Sequence, residues 1–176
     1  MFWVFLAVVV LIILVGATYY NALSSKRGRC DEAWRELRAR LDRRGALIDT
    51  LCETLRSATQ GQEATIEKLQ AARDAAAAET DDVLQRVQAE HVVDEQFAAA
   101  FALVRQYPAL HANAQFAGIR EEHTGVSNRI AAAREAYNTA VDEYNEALTK
   151  FPEKLVARVF HFEPRVRFEI PAQAPA

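Results

Sequence analysis

The sequence predicts an all-α protein: an N-terminal transmembrane helix continuing into an antiparallel bundle of three to four long helices, with a short extended C-terminal tail. Three observations predict it. The chain opens on MFWVFLAVVVLIILVGATYY, about twenty residues without a charge, which at about 1.5 Å per helical residue span roughly 30 Å, the thickness of a bilayer's hydrocarbon layer. Apolar side chains then recur at steps of three and four from Cys30 to Leu55 and from Phe116 to Phe151. The composition is rich in Ala, with only 6 Gly and 5 Pro in 176 residues, which leaves few helix breakers.

The first element is the apolar stretch itself. Trp3 near one end and Tyr19 and Tyr20 at the other suit the two membrane interfaces, where a ring body meets a polar rim. A cleaved signal peptide is the rival reading, since Val15-Gly16-Ala17 offers small residues. It lacks the positive n-region, because no Lys or Arg precedes Lys26. Lys26, Arg27, Arg29, Arg35, Arg38 and Arg40 follow the span closely, and cationic flanks remain on the cytoplasmic side. The expected location is therefore the inner membrane, single-pass, with the N-terminus outside and the C-terminal domain in the cytoplasm.

The helix is expected to run straight out of the membrane on Cys30, Trp34, Leu37, Leu41, Ile48, Leu51 and Leu55, with one miss in its apolar seam at Arg44. Gly28 and Gly45 weaken it by about 1 kcal/mol each relative to Ala, and Thr59-Gln60-Gly61 is the expected stop. A second helix starts near Gln62 and uses Ile66, Leu69, Ala72 and Ala76, where thin side chains permit close approach of a neighbour. It breaks either at Thr80-Asp81-Asp82 or between His91 and Asp94, each of which offers an N-cap. A further helix through Phe97, Phe101 and Val104 ends before Pro108, because the residue ahead of proline avoids helical dihedrals.

The last long helix carries EAYNTAVDEYNEAL, in which Tyr-Asn occurs twice at a seven-residue interval. That interval places Tyr137 and Tyr144 on the buried seam with Val141 between them, each hydroxyl able to reach a partner at the edge. Asn138 and Asn145 lie about 100° round the helix and are expected to fix register through amide bonds to a neighbouring helix or a loop end. The core expected from the sequence is Trp34, Leu37, Leu41, Tyr137, Val141 and Tyr144. After Phe151-Pro152 comes RVFHFEPRVRFEIP, where Val166, Phe168 and Ile170 alternate in a strand-like pattern that must lie against the helices. The expected domains are thus 1–22, the anchor; 23–152, the bundle; and 153–176, a tail partly extended and then disordered.

Several of these stretches resemble the LemA family of membrane-anchored bacterial proteins. The resemblance begins at Tyr20-Asn21-Ala22-Leu23 and runs through DEAW, LDRRGALI and YPALHANAQF. It is densest in SNRIAAAREAYNTAVDEYN and FPEKLVARVFHFEPRVRFE. It implies a transmembrane helix followed by an antiparallel bundle, with a poorly defined biochemical role and one branch implicated in building magnetosome membranes. Gly45, Asp49-Thr50 and Gly61-Gln62 depart from the family pattern, which argues against a polar or metal-touching site in the first interhelical loop.

Composition bounds function by exclusion. Lys plus Arg number 21 against 24 acidic residues, so no basic face for nucleic acid is expected. His91, His111, His123 and His161 include no pair at the three- or four-residue spacing of helical metal sites, and neither a phosphate loop nor a nucleophile elbow is present. No cofactor, metal or catalytic residue is expected. Cys30 and Cys52 lie 22 residues apart on one helix, about 33 Å, far beyond disulfide reach. Lys26, Arg27 and Arg29 lie close enough to the bilayer to touch anionic headgroups. The other arginines fit solvated or interhelical pairs.

The expected function is a non-enzymatic scaffold or protein-interaction module. Its partners are the lipid bilayer and a protein of unknown identity. One alternative is a signalling module with His123 as phosphate carrier, which exposure of that imidazole would favour. Another is a self-assembling, homo-oligomeric membrane organiser, which a large uncovered apolar patch would favour.

Overall fold

The computed structural model describes residues 1–58, 62–78, 82–107 and 114–169. Five helices occur among them: α1 (Phe2–Ala58), α2 (Glu63–Ala78), α3 (Val83–Val104), α4 (Ala114–Thr149) and the short α5 (Glu153–Val159). No strand is present among the described residues. The all-α expectation is therefore met. Thr59-Gln60-Gly61 and the stretch from Pro108 to Asn113, with His111, fall outside the described residues.

Gly28 and Gly45 do not interrupt α1, which runs from the apolar stretch into the packed region as one helix. That stretch reaches a mean hydropathy of 2.6 and none of it is buried, so the helix is long and apolar enough to cross a membrane. Of the first candidate break, Thr80 and Asp81 lie outside the described residues and Asp82 lies within them. Asp82 is the N-cap of α3, its carboxylate accepting from the Leu84 and Gln85 amides, and the helix continues unbroken through His91 to Asp94.

The chain divides into two compact units, residues 1–35 with 135–167, and residues 36–134 with 168–176. In the second unit, Arg73 of α2 pairs with Asp49 of α1, Arg86 of α3 with Asp42 of α1, and Phe97 of α3 stacks on His123 of α4. With Arg56 on Gln70 as well, α2 runs antiparallel to α1, and with Arg44 on Asp94 as well, α3 runs parallel to α1. Leu37, Leu41, Leu51, Leu55, Ile66 and Leu69 are among the residues almost wholly removed from water there. Ala72 and Ala76 are buried as well, consistent with close approach of the facing helices.

In the first unit the early part of α1 runs antiparallel to the end of α4, with Cys30 against Ala140 and Trp34 against Tyr137. Leu23 of α1, Ala147 of α4 and Ala157 of α5 form a small core on which Leu148, Val156 and Phe162 pack.

The tail, expected to be partly extended, opens with a helix that the sequence reading did not give, Glu153–Val159. Its end is a Schellman turn: His161 takes a left-handed φ of 53° and the Phe162 amide bonds back to the Ala157 carbonyl at 2.9 Å. Only from Phe162 does the chain extend. The expected alternation also fails, since Val166 is exposed whereas Phe168 is fully buried. Ile170 lies outside the described residues.

Candidate functional site

The Tyr-Asn repeat of α4 grips the tail. Tyr137 Oη donates to the Val166 carbonyl at 2.8 Å and Tyr144 Oη to the Glu163 carbonyl at 3.0 Å. Asn145 bonds Arg165 twice, its Nδ2 donating to the carbonyl at 2.8 Å and its Oδ1 accepting the backbone N–H at 2.9 Å. These side chains stand in for the neighbouring strand an extended segment would otherwise need. Of the two partners expected for the Asn145 amide, a neighbouring helix or a loop end, it bonds the non-helical tail. Asn138, one heptad earlier, is buried.

Two ion pairs fasten the same segment, Arg165 to Asp31 at 2.6 Å and Arg167 to Asp142 at 3.3 Å. Tyr137, Val141 and Tyr144 are buried, and burial pushes the Tyr137 hydroxyl up to about 12 and raises that of Tyr144 too. Trp34, expected in the core, is only half-buried, its ring 5.4 Å from that of Tyr137.

Both cysteines are free and buried. Cys30 Sγ donates to the Ala140 carbonyl at 3.2 Å, and burial raises its pKa; burial pushes the Cys52 thiol up to about 11. A thiol-specific disulfide reagent at pH 8 is expected to leave both unmodified in the folded chain and to modify both in denaturant. Rapid reaction of either in the folded protein would contradict the burial described.

Arg44 makes an interhelical pair, one of the two fates expected of it, but its burial together with Arg86 and Glu90 is a feature the sequence reading missed. Arg44, the miss in the α1 seam, is 7% exposed, and Arg86 and Glu90 are each 2% exposed, so three ionised groups lie inside. They satisfy one another. Arg44 Nη2 meets Glu90 Oε2, Arg44 Nη1 reaches Asp94 Oδ1 at 2.5 Å, and Arg86 Nε donates to Glu90 Oε1 at 2.7 Å. Arg86 Nη2 also contacts Asp42 at 3.2 Å. Glu90 is thus clamped between two guanidinium groups. A cavity of about 280 Å³ adjoins them, lined by Arg38, Asp42, Arg73, Arg86 and Glu90 among others.

A sequence signal existed. Arg86, Glu90, Val93, Phe97, Ala100 and Val104 follow steps of three and four, so two opposite charges occupy seam positions of α3 while Arg44 occupies one of α1. Complementary misses in two seams mark a buried ion pair.

His123 is half-buried, its ring stacked 4.2 Å from that of Phe97 and Ser127 Oγ 3.3 Å from its Nε2. Burial, with the Arg44 charge adding and Asp94 opposing, lowers its pKa from 6.5. The neutral ring is the form the fold prefers. Stability from this group is therefore present above about pH 6.5 and is lost as pH falls from there through the lower folded-state pKa. Urea unfolding at pH 7 and pH 5 should show that loss in the native chain, and His123→Phe should reduce it; an unchanged pH dependence in the variant would rule His123 out as its source.

His91 faces Glu95 at 3.6 Å and His161 is exposed. Among the described residues no three His, Cys, Asp or Glu side chains come together as a metal-holding group. Of the three expected headgroup contacts, Lys26 is half-buried and Arg27 exposed, while Arg29 pairs with Glu143 of α4 at 3.0 Å. That pair competes with the headgroup role expected of Arg29.

A comparison with curated proteins found no match. A family model described as the LemA family matches residues 33–176, from just before Trp34 through the bundle, the α4 repeat and the tail. The chain therefore belongs to the LemA family.

Proposed function

We propose that this LemA-family chain is a non-enzymatic, membrane-tethered helical module that presents its bundle to a protein partner at the cytoplasmic face of a bacterial inner membrane. The single observation behind the proposal is α1. One uninterrupted helix from Phe2 to Ala58 begins as a bare apolar rod and continues with Leu37, Leu41, Leu51 and Leu55 buried. A bilayer is the solvent that suits its first part, because helix backbone is satisfied internally and the exposed side chains are apolar. Its second part is packed structure. The polar side chains described above serve structural ends: Tyr144 and Asn145 hold the tail, and Arg44, Glu90 and Arg86 neutralise one another.

The orientation rests on the cluster from Lys26 to Arg40, which favours the cytoplasmic side. Protease added outside intact cells should spare residues 24–176, and digestion of that portion would overturn the assignment. Crosslinking in intact membranes, followed by purification with the span present, should recover a defined protein partner in stoichiometric yield. Recovery of the chain alone under several crosslinker chemistries would count against a partner-binding role.

A further inference from the structure

Exposed large apolar side chains are concentrated in two places. One is the span. The other is the short segment after α4, where Phe151 is 80%, Leu155 57%, Val159 69% and Phe160 54% exposed. Among the described residues only Leu84 and Val92 are comparably exposed outside the span, Tyr20 and the segment from 151 to 166. Exposed apolar side chains this dense on so short a segment call for a covering surface.

On α5, Leu155 and Val159 are four residues apart and share one face, while Ala157, about 200° round the helix from Leu155, is buried on Leu23 and Ala147. The helix therefore has an inner face fixed to the protein and an outer apolar face that stays exposed among the described residues. Lys154 and Arg158, both exposed, flank that outer face.

The position of α5 identifies the occupant. Tyr20, at the end of the apolar stretch, packs its ring 4.8 Å from Phe160 and 5.5 Å from Phe162. Leu23, three residues on, is the first fully buried side chain of α1 and lies against α5. Phe160 and Phe162, just past α5, thus lie beside the point where the span would leave the hydrocarbon, and the buried side of α5 packs on the first turns of α1 beyond it. Basic side chains beside an apolar face suit an anionic lipid surface.

We propose that α5 and its flanking aromatics form a second membrane contact, with Leu155, Val159, Phe151 and Phe160 inserted at the headgroup boundary beside α1 and with Lys154 and Arg158 facing anionic headgroups. A helix lying in the interface sits about 5–10 Å into that boundary. This inference rests on the membrane reading of α1, and the experiment separates the two.

The full chain, with Cys30 and Cys52 replaced by alanine, carries one environment-sensitive fluorophore on Leu155→Cys, Ile12→Cys or Glu135→Cys. Each labelled chain must first match the helical circular dichroism of the unlabelled one. The chains are reconstituted into vesicles of phosphatidylcholine and phosphatidylglycerol brominated either near the carbonyl or near the acyl terminus. Glu135 is exposed on α4. It lies twelve residues, about 18 Å, along that helix from Ala147, away from α5. Leu155→Cys is expected to lose emission with shallow bromines, Ile12→Cys with deep ones, and Glu135→Cys with neither.

If Ile12→Cys is quenched while Leu155→Cys behaves like Glu135→Cys, the second contact is refuted and the anchor stands; the apolar face then belongs to a protein partner or a second copy. If Leu155→Cys is quenched while Ile12→Cys is not, the contact holds and the anchor reading fails. With neither quenched, both fail.

Discussion

Replacing Glu90 by leucine is expected to destabilise the folded chain by about 3–5 kcal/mol, because it removes a carboxylate that holds two buried guanidinium groups. Arg44 and Arg86, at 7% and 2% exposure, cannot reach water without disturbing the helices that cover them. Asp94 still meets Arg44 and Asp42 still meets Arg86, but their side chains are 38% and 60% exposed. Neither replaces a carboxylate clamped between the two. Urea unfolding of the detergent-solubilised full chain, followed by circular dichroism, measures the loss.

Removing all three charges together, Arg44→Met with Arg86→Met and Glu90→Leu, should restore most of the stability, since well-packed apolar groups commonly equal or exceed a buried ion cluster. A Glu90→Leu chain as stable as the native one would show that the cluster is hydrated through the adjoining cavity. A triple variant no better than Glu90→Leu would show that shape, not charge balance, sets the cost.

The second large effect is expected at the tail. Phe168 is fully buried, so Phe168→Ala should cost about 3–5 kcal/mol through lost apolar burial and the void left behind. Asn145→Ala should cost about 1–3 kcal/mol, because it strips partners from both backbone groups of Arg165. The two variants differ in a second readout. In Asn145→Ala the Arg165 amide loses its acceptor, and its hydrogen exchange should accelerate well beyond what the global destabilisation accounts for. Unchanged exchange at Arg165 would mean that the tail is held elsewhere.

Much of the architecture was legible because it rests on periodicity. Tyr137, Val141 and Tyr144 repeat at heptad spacing, and burying them requires nothing beyond a neighbouring surface. Arg44 shows where that reading ran short. As a single charged residue in an apolar seam it looked like a local defect, and its meaning depended on Arg86 and Glu90 some forty residues away, which no local pattern connects to it. The destination of the Asn145 amide was hidden for a similar reason, since helix and tail offer the same carbonyls and only the fold decides between them. Helix α5 was missed because seven residues carry too little periodicity to compete with the alternating apolar pattern just beyond them. Asp82 could be chosen as cap over the His91 to Asp94 alternative only once α3 was seen to run through the latter.

The bonds between α4 and the tail have an asymmetry with evolutionary weight. Tyr137, Tyr144 and Asn145 contribute side-chain atoms, whereas Glu163, Arg165 and Val166 contribute main-chain atoms to them. Any amino acid supplies a carbonyl, and any except proline supplies an N–H. Substitutions can therefore accumulate at Glu163 and Val166 without loosening these bonds, while the two phenols and the carboxamide on the helix are held to their chemical identity.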